Sequence, residues 1–155
     1  MSVAHASVAA EIHAVSQAAY TLEAKQIGCA DFPPLRESLA QLQQSPDRFL
    51  GFQQSGRIVA LLSFACSADA LAITRLVVDP AFQRQGIATA LLADLERRFP
   101  LASRWTVSTA ARNQPAVQLY QRLGFTTAHA TTSAEGIRLL HLTKARIWNV
   151  RKKTS

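Results

Sequence analysis

A short loop at residues 83–89, with the sequence QRQGIAT, carries residues suited to bind a phosphate-containing ligand. It follows an apolar strand and leads directly into a helix, which apolar residues three and four positions apart predict. The start of a helix leaves about four N–H groups without partners, and the helix dipole adds partial positive charge there. Gly86 and Ala88 leave these groups accessible, and Arg84 adds a full positive charge. The loop therefore predicts an anion site that suits a phosphate or pyrophosphate.

This loop matches neither the dinucleotide fingerprint nor the P-loop, because G-x-G-x-x-G and G-x-x-x-x-G-K-[ST] are both absent from the sequence. Taken alone, it also fits an ordinary strand–loop–helix connection with a Gly in its turn. A second stretch at residues 113–125, NQPAVQLYQRLGF, favours the binding site. It combines an Asn, a Tyr seven residues later and a Gly-Phe pair.

Together the two stretches resemble the GNAT superfamily of acyl-CoA-dependent N-acetyltransferases, over roughly residues 48–146. The family's pyrophosphate loop, Q/R-x-x-G-x-G/A, is matched by Gln83, Gly86 and Ala88. Its downstream signature is matched by Asn113, Tyr120 and Gly124-Phe125. The resemblance implies an α/β fold with one acetyltransferase domain over residues 1–147. Its mixed, splayed sheet would be flanked by helices, and acetyl-CoA would be the co-substrate.

The resemblance also implies how the cofactor is held. A strand edge at the splay would offer free backbone groups to the pantetheine amides, as in strand addition. The helix start would hold the pyrophosphate. The cofactor contacts implied in this way are Leu76, Val77, Val78, Gln83, Arg84, Gln85, Gly86, Ile87, Ala88, Thr89, Asn113 and Tyr120.

Tyr120 is the predicted catalytic residue. A phenol has an ordinary pKa near 10, roughly matched to a thiol leaving group, and the family gives its aligned Tyr the general-acid role. A lone Tyr on an amphipathic helix is more typical of a core aromatic. The accompanying Asn113 and Gly86 favour the catalytic role instead. Asn113 can cap its helix and contact the cofactor at the same time.

The sequence offers no evident general base. Many family members place a Glu on the strand before the pyrophosphate loop or on the next strand, and these positions hold Thr74 and Ser108. Neither hydroxyl is a base at neutral pH. A water chain, another residue or an already partly neutral amine would have to serve. His141, on the last predicted strand, either points to the cleft or is structural.

The sequence does not identify the acceptor. Specificity is expected in residues 20–35 and in the loop at 133–136. Tyr20, Glu23, Asp31 and Phe32 are candidates, and Glu23 or Asp31 could receive a cationic amine. Solvated loop residues are the alternative reading for each of them.

Three functions fit these observations. The leading one is N-acetylation of a primary amine of a small molecule or peptide, by direct attack in a ternary complex. A non-catalytic acyl-CoA-binding module would suit the missing Glu. The net charge of +7 motivates a third, acetylation of an RNA- or ribosome-associated substrate. Nucleic-acid binding is disfavoured because Arg and Lys are scattered and no aromatic stacking motif is present. The oligomeric state stays open, a homodimer included.

Composition narrows the class of protein. The 155 residues, 48% hydrophobic and 17% charged, predict one globular domain. The sequence predicts neither a membrane span nor a signal peptide. Cys29 and Cys66 form no C-x-x-C motif, so a cytoplasmic protein with free thiols is expected. His5 and His13 are eight residues apart and no metal motif occurs, so no metal is predicted. Residues 148–155 are predicted to be a solvated basic tail.

Periodicity and turn residues predict the element order ααβββαβαββ. The strand that the family places before the first helix would be short or missing. The predicted helices run over residues 7–27 with Ser7 as N-cap, from Pro33-Pro34 to Ser45-Pro46, from the 83–89 loop to Pro100, and from Asn113 to Gly124. The predicted strands are residues 48–54, 57–66, 71–78, 104–109, 125–132 and 137–146.

Overall fold

The computed structural model describes residues 6–146 and shows six strands and four α-helices in the predicted order. The helices are α1 (Ala6–Ile27), α2 (Leu39–Gln43), α3 (Ile87–Arg98) and α4 (Gln114–Arg122), with 3-10 turns at Pro33–Arg36 and Pro80–Phe82. The strands are β1 (Arg48–Gln54), β2 (Arg57–Ser67), β3 (Ala70–Val78), β4 (Arg104–Ala110), β5 (Thr126–Thr132) and β6 (Arg138–Ala145).

The strands form one mixed sheet in the order β1-β2-β3-β4-β6-β5. All neighbours are antiparallel except β3 and β4, which run parallel. This parallel ladder begins at Ala70 opposite Arg104 and ends at Ile73 opposite Val107. Beyond Ile73, β3 pairs with β2 on one side and diverges from β4 on the other. The predicted splay is therefore confirmed.

Apolar side chains cover both faces of the sheet. On one face, α3 and α4 pack Leu95 and Tyr120 against strand residues such as Trp105. On the other face, Ile12 of α1 and Leu42 of α2 pack against β1 and β2. Each fully buried large aliphatic side chain stabilises the fold by about 1.5–3 kcal/mol. Helices therefore cover the sheet on both of its faces.

The second predicted helix is wrong in its extent. In place of one helix from Pro33-Pro34 to residue 45, the chain forms the 3-10 turn, an extended Glu37 and the short α2. Ser38 starts α2 with a capping box: its Oγ accepts from the Gln41 N–H at 3.1 Å, and Gln41 Oε1 accepts from the Ser38 N–H at 2.8 Å. The pair satisfies two backbone donors that a continuous helix would have bonded to its own carbonyls.

Turn residues behave as the sequence predicts. Gly28 ends α1 with φ +69°, and Gly124 follows α4 with φ +97°. Ser55 and Gly56, with φ +52° and +76°, form the β1–β2 turn, in which both central residues take positive φ. Ser7 is not an N-cap, because α1 already includes Ala6.

Several sequence-based expectations fall outside the described residues: His5, any strand before α1, and the basic tail at 148–155. Cys29 and Cys66 are free thiols. Among residues 6–146, no helix combines the length and the apolar composition that crossing a bilayer would require. The same residues contain no group of three His, Cys, Asp or Glu side chains arranged to hold a metal ion.

Candidate active site

A cleft of about 430 Å³ opens where β3 and β4 diverge. Strand residues on both sides of the gap, the α1 C-terminal half, the start of α4 and the β5–β6 turn form its walls. Several of the predicted site residues lie close together on its walls. Those that line it are Tyr20, Glu23, Phe32, Thr74, Leu76, Ser108, Asn113 and Tyr120.

The strand segment 76–78 presents a free backbone edge to the gap. Leu76 pairs with Leu62 and Val78 with Ala60 on the β2 side, and the β4 ladder has already ended. The side chain of Val77 is buried against α1 residues, so Val77 can reach a ligand only through its backbone. This geometry fits the predicted strand-like pairing with pantetheine amides.

The predicted phosphate loop lies just beyond this edge and does not itself line the cleft. Gly86 is the left-handed N-cap of α3 with φ +75°, and a Cβ built on it would meet no atom within 4 Å. Gln83, Arg84 and Gln85 are exposed, which leaves the helix start open to solvent. Ile87 is buried in the core, so only its N–H could contact a phosphate. The open space at Gly86 fits a pyrophosphate bound to backbone N–H groups.

Tyr120 lines the cleft and is 4% exposed, with its ring in edge contact with Phe125 at a centroid distance of 5.5 Å. Burial raises the pKa of the Tyr120 phenol well above its ordinary value, and the charge of Glu23 raises it further. The sequence suggested a phenol matched to a thiol. The structure instead keeps it firmly protonated, so it suits a hydrogen-bond donor to a developing thiolate.

Asn113 connects the start of α4 to Glu23 of α1. Its Oδ1 accepts from the Ala116 N–H at 3.3 Å, which is the predicted N-cap, and its Nδ2 donates to Glu23 Oε1 at 3.0 Å. Burial raises the pKa of the Glu23 carboxyl, and the Asn113 hydrogen bond opposes this shift. Both polar ends of the Asn113 side chain are thus engaged within the protein. Its predicted cofactor contact stays a prediction.

The two hydroxyls at the positions of the family's Glu each contact a titratable side chain. Thr74 Oγ1 donates to Asp47 Oδ2 at 2.6 Å and lies 2.8 Å from Ser63 Oγ. Ser108 Oγ lies 2.7 Å from His141 Nδ1. The Ser108–His141 contact joins residues 33 positions apart in the chain. The alternation of side chains along β4 and β6 could place both residues on one face of the sheet, but it could not predict that they lie opposite each other.

The structure separates the acceptor candidates. Tyr20 lines the cleft in edge contact with Phe32, and burial raises its pKa to about 12, with Arg75 opposing the shift. Asp31 does not line the cleft. It is exposed, and its carboxylate pairs with the Arg36 guanidinium at 2.7 Å. The turn at 133–136 contributes Glu135 to the cleft wall, and the role of this turn in specificity stays a prediction.

Arg75 is a cleft residue that sequence reasoning missed. Its side chain is 10% exposed and pairs with Glu37 at 2.7 Å, which joins the sheet to the segment before α2. An Arg in the largely apolar, β-branched strand ITRLVV was the available signal.

Comparison with known proteins agrees with this geometry. The family model of the acetyltransferase (GNAT) domain matches residues 17–146. UPF0157 protein YqkA of Bacillus subtilis is 37% identical over 134 residues, which are 86% of this chain and 39% of that protein. The [ribosomal protein bS18]-alanine N-acetyltransferase of Escherichia coli K12 is 36% identical over 88 residues, which are 53% of this chain and 58% of the relative. The chain thus spans about two fifths of the first of these curated relatives and about three fifths of the second.

The fold is also that of solved acetyltransferases. PaiA N-acetyltransferase from Thermoplasma acidophilum, solved in complex with coenzyme A, superposes with a TM-score of 0.77 at 14% identity. The match covers 94% of this chain and 96% of that one. Since the family model covers every residue that lines the cleft, the chain belongs to the GNAT family of acetyltransferases.

Proposed function

We propose that this protein transfers the acetyl group of acetyl-CoA to a primary amine of a small molecule or a peptide, by direct attack in a ternary complex. The observation that carries the proposal is the cleft at the splay, because one gap joins a free strand edge to a buried Tyr and an acidic acceptor wall. Bound acetyl-CoA would supply the activated acetyl group as a thioester.

Different residues along the gap would contact different parts of acetyl-CoA. The backbone N–H groups after Gly86 would hold the pyrophosphate, and the edge of Leu76–Val78 would hold the pantetheine arm. These contacts lead to Tyr120, whose protonated hydroxyl would donate a hydrogen bond to the sulfur as negative charge develops.

The acceptor would enter from the opposite wall, formed by α1 and the β5–β6 turn. Glu23 and Glu135 supply carboxylates there, while Tyr20 and Phe32 supply aromatic surface. This combination favours an amine that arrives as a cation on a carbon chain or a peptide. Arg75 lies on the same cleft, but its charge is paired with Glu37.

A protein N-terminus is the second candidate acceptor, supported by the 36% identity to a ribosomal-protein alanine N-acetyltransferase. Such an acceptor is itself a primary amine on a peptide, so the same cleft chemistry applies. A cytoplasmic site of action is supported by the two free thiols.

The proposal is tested by acetyl transfer and by cofactor binding. Purified protein should consume acetyl-CoA with at least one member of a panel of polyamines, aminoglycosides, amino acids and peptides with a free N-terminus. Gly86→Val should weaken acetyl-CoA binding by more than tenfold in calorimetry, about 1.4 kcal/mol. Tight binding without transfer to any acceptor would favour the non-catalytic module. Steep loss of RNA binding with salt would support an RNA-associated substrate.

Gly56→Val is the matched control for that substitution. Gly56 has φ +76°, nearly that of Gly86, and a Cβ on it also meets no atom within 4 Å. Both variants therefore carry the same backbone strain. Equal acetyl-CoA affinity in the two folded variants would remove the pyrophosphate assignment.

A further inference from the structure

The structure suggests where the acceptor's proton goes, which the sequence left open. The contacts of Thr74 and Ser108 differ in the group they reach, a carboxylate and an imidazole respectively. A neutral imidazole is ordinarily a stronger base than a carboxylate. Of the two pairs, Ser108 and His141 therefore offer the better proton acceptor.

We propose that Ser108 and His141 form a proton relay that acts as the general base of the transfer; this rests on the proposed function. The acceptor amine would donate a hydrogen bond to Ser108 Oγ, which lies on the cleft wall. An acceptor that arrives as an ammonium first loses one proton to solvent, because only the neutral amine has a lone pair for attack. As the neutral amine forms the N–C bond to the acetyl carbon, Ser108 Oγ takes its proton and passes its own proton to His141 Nδ1. The C–S bond breaks, its electron pair leaves on sulfur toward the Tyr120 hydroxyl, and half-exposed His141 returns the proton to solvent.

Three strands hold the imidazole in the orientation that the relay requires. His141 of β6 pairs with Ser108 of β4 and with His129 of β5 in the sheet register. Its Nε2 lies 2.7 Å from Thr131 Oγ1, and its ring stacks on His129 with centroids 4.4 Å apart. With Nε2–H donating to Thr131, the Nδ1 lone pair is directed at Ser108, which makes the Ser108 hydroxyl the donor.

His129 is the titratable group stacked on His141, and the strand neighbours Ser108 and Thr131 are uncharged. The titratable or charged residues that line the cleft with Ser108 are Tyr20, Glu23, Arg75, Tyr120 and Glu135.

The test is the pH dependence of kcat/KM for Ser108→Ala, His141→Asn and the double variant. Each single change should lower kcat/KM by about 10²-fold, the usual scale for a lost general base. The double variant should be no slower than either single one, because the two side chains act as one unit. In the wild-type protein, kcat/KM should rise with pH in two steps, one from the relay and one from the acceptor amine. The variants should keep only the step that comes from the amine. Two acceptors with different pKa values separate these steps.

Two further variants sharpen the comparison. Asp47→Asn alters the corresponding group next to Thr74 and should change kcat/KM by less than about threefold, since that pair is not assigned to the relay. Ser108→Glu in the His141→Asn background should recover activity, because a carboxylate at position 108 could take the proton without the imidazole.

The outcomes separate the relay from the proposed function. No transfer by the wild-type protein to any amine would defeat both. Transfer that persists in His141→Asn with an unchanged rate and pH profile would defeat the relay alone, and so would multiplicative effects in the double variant. Nitrogen-detected NMR should show His141 as the Nε2–H tautomer. An Nδ1–H tautomer would overturn the relay without reference to activity, because that nitrogen could not accept a proton.

Discussion

Asn113 donates a hydrogen bond from Nδ2 to Glu23 Oε1 at 3.0 Å, and this bond connects the helix that carries Tyr120 to the acceptor wall. The carboxylate is only half-buried, yet burial raises its pKa more than the Asn113 bond lowers it. A group held in this way can attract a cation and can also respond to pH. Glu23 is therefore a sensitive probe of the acceptor side of the cleft.

Replacing Glu23 with Gln should raise KM for cationic amines by about tenfold while kcat changes less, because the lost charge acts mainly on binding. The Asn113 hydrogen bond can persist to the Gln oxygen. Steady-state kinetics with one cationic acceptor measures both constants. Asp31→Asn is the control, since Asp31 is exposed and does not line the cleft. An equal rise in KM in both variants would contradict a specific role for Glu23.

Stability should also depend on pH through Glu23. Because its pKa is raised in the folded protein, folding binds a proton to Glu23. That contribution favours the folded state at low pH and is lost as pH rises through the folded-state pKa. Glu23→Gln removes this dependence, so the free energy of unfolding of the variant, minus that of the wild type, should increase with pH over that range. Urea unfolding at several pH values measures the difference, and a constant difference would contradict the shift.

Tyr120→Phe should lower kcat by about 10²-fold and leave acetyl-CoA affinity unchanged, because the hydroxyl acts mainly as charge develops on sulfur. The edge contact with Phe125 is retained by the Phe ring. Steady-state kinetics, calorimetry and thermal melts provide the three readouts. Tyr20→Phe is the matched comparison on the acceptor wall and should affect KM more than kcat. Wild-type kcat in Tyr120→Phe would make Tyr120 a core aromatic.

Arg75→Met should destabilise the protein by about 2–3 kcal/mol, since it removes a nearly buried ion pair and leaves Glu37 without its partner. The Arg75 guanidinium also lies over the Phe49 ring, with its carbon 5.6 Å from the ring centroid. Arg97→Met breaks an exposed pair with Asp94 and should cost less than about 0.5 kcal/mol. Chemical unfolding of both variants measures the difference, and equal losses would contradict a structural role for Arg75.

The basic tail is predicted to be dispensable for cofactor binding. A protein that ends at Trp148 should keep the acetyl-CoA affinity of the full chain, because the residues that match the cofactor motifs end at Phe125. Calorimetry on the two proteins, in the same salt, makes the comparison. Loss of binding on truncation would assign the tail a role in the site.

The fold could be predicted where local sequence decides local structure. Gly28, Ser55-Gly56 and Gly124 take positive φ, and they mark the end of α1, the β1–β2 turn and the end of α4. The error at Pro33-Pro34 had a visible signal, because Ser38 and Gln41 form the S-x-x-Q pattern of a capping box. Apolar spacing alone suggested one continuous helix across it.

The site could be predicted only in part, because its chemistry depends on contacts between distant segments. Tyr120 follows from a motif, but its raised pKa comes from burial and from Glu23, which is 97 positions earlier in the chain. The Ser108–His141 contact depends on the register of β4 against β6, which side-chain patterns do not determine.

The splay has one more consequence, for amide hydrogen exchange. Four residue pairs join β3 to β4, so the sheet consists of two antiparallel halves held by a short seam. Beyond Ile73, alternate N–H groups of β3 point into the gap rather than to a neighbouring strand. These amides should exchange quickly with solvent until a ligand fills the gap, whereas those bonded to β2 should exchange slowly throughout. Protection along this one strand would then report occupancy of the site directly, before any acetyl group is transferred.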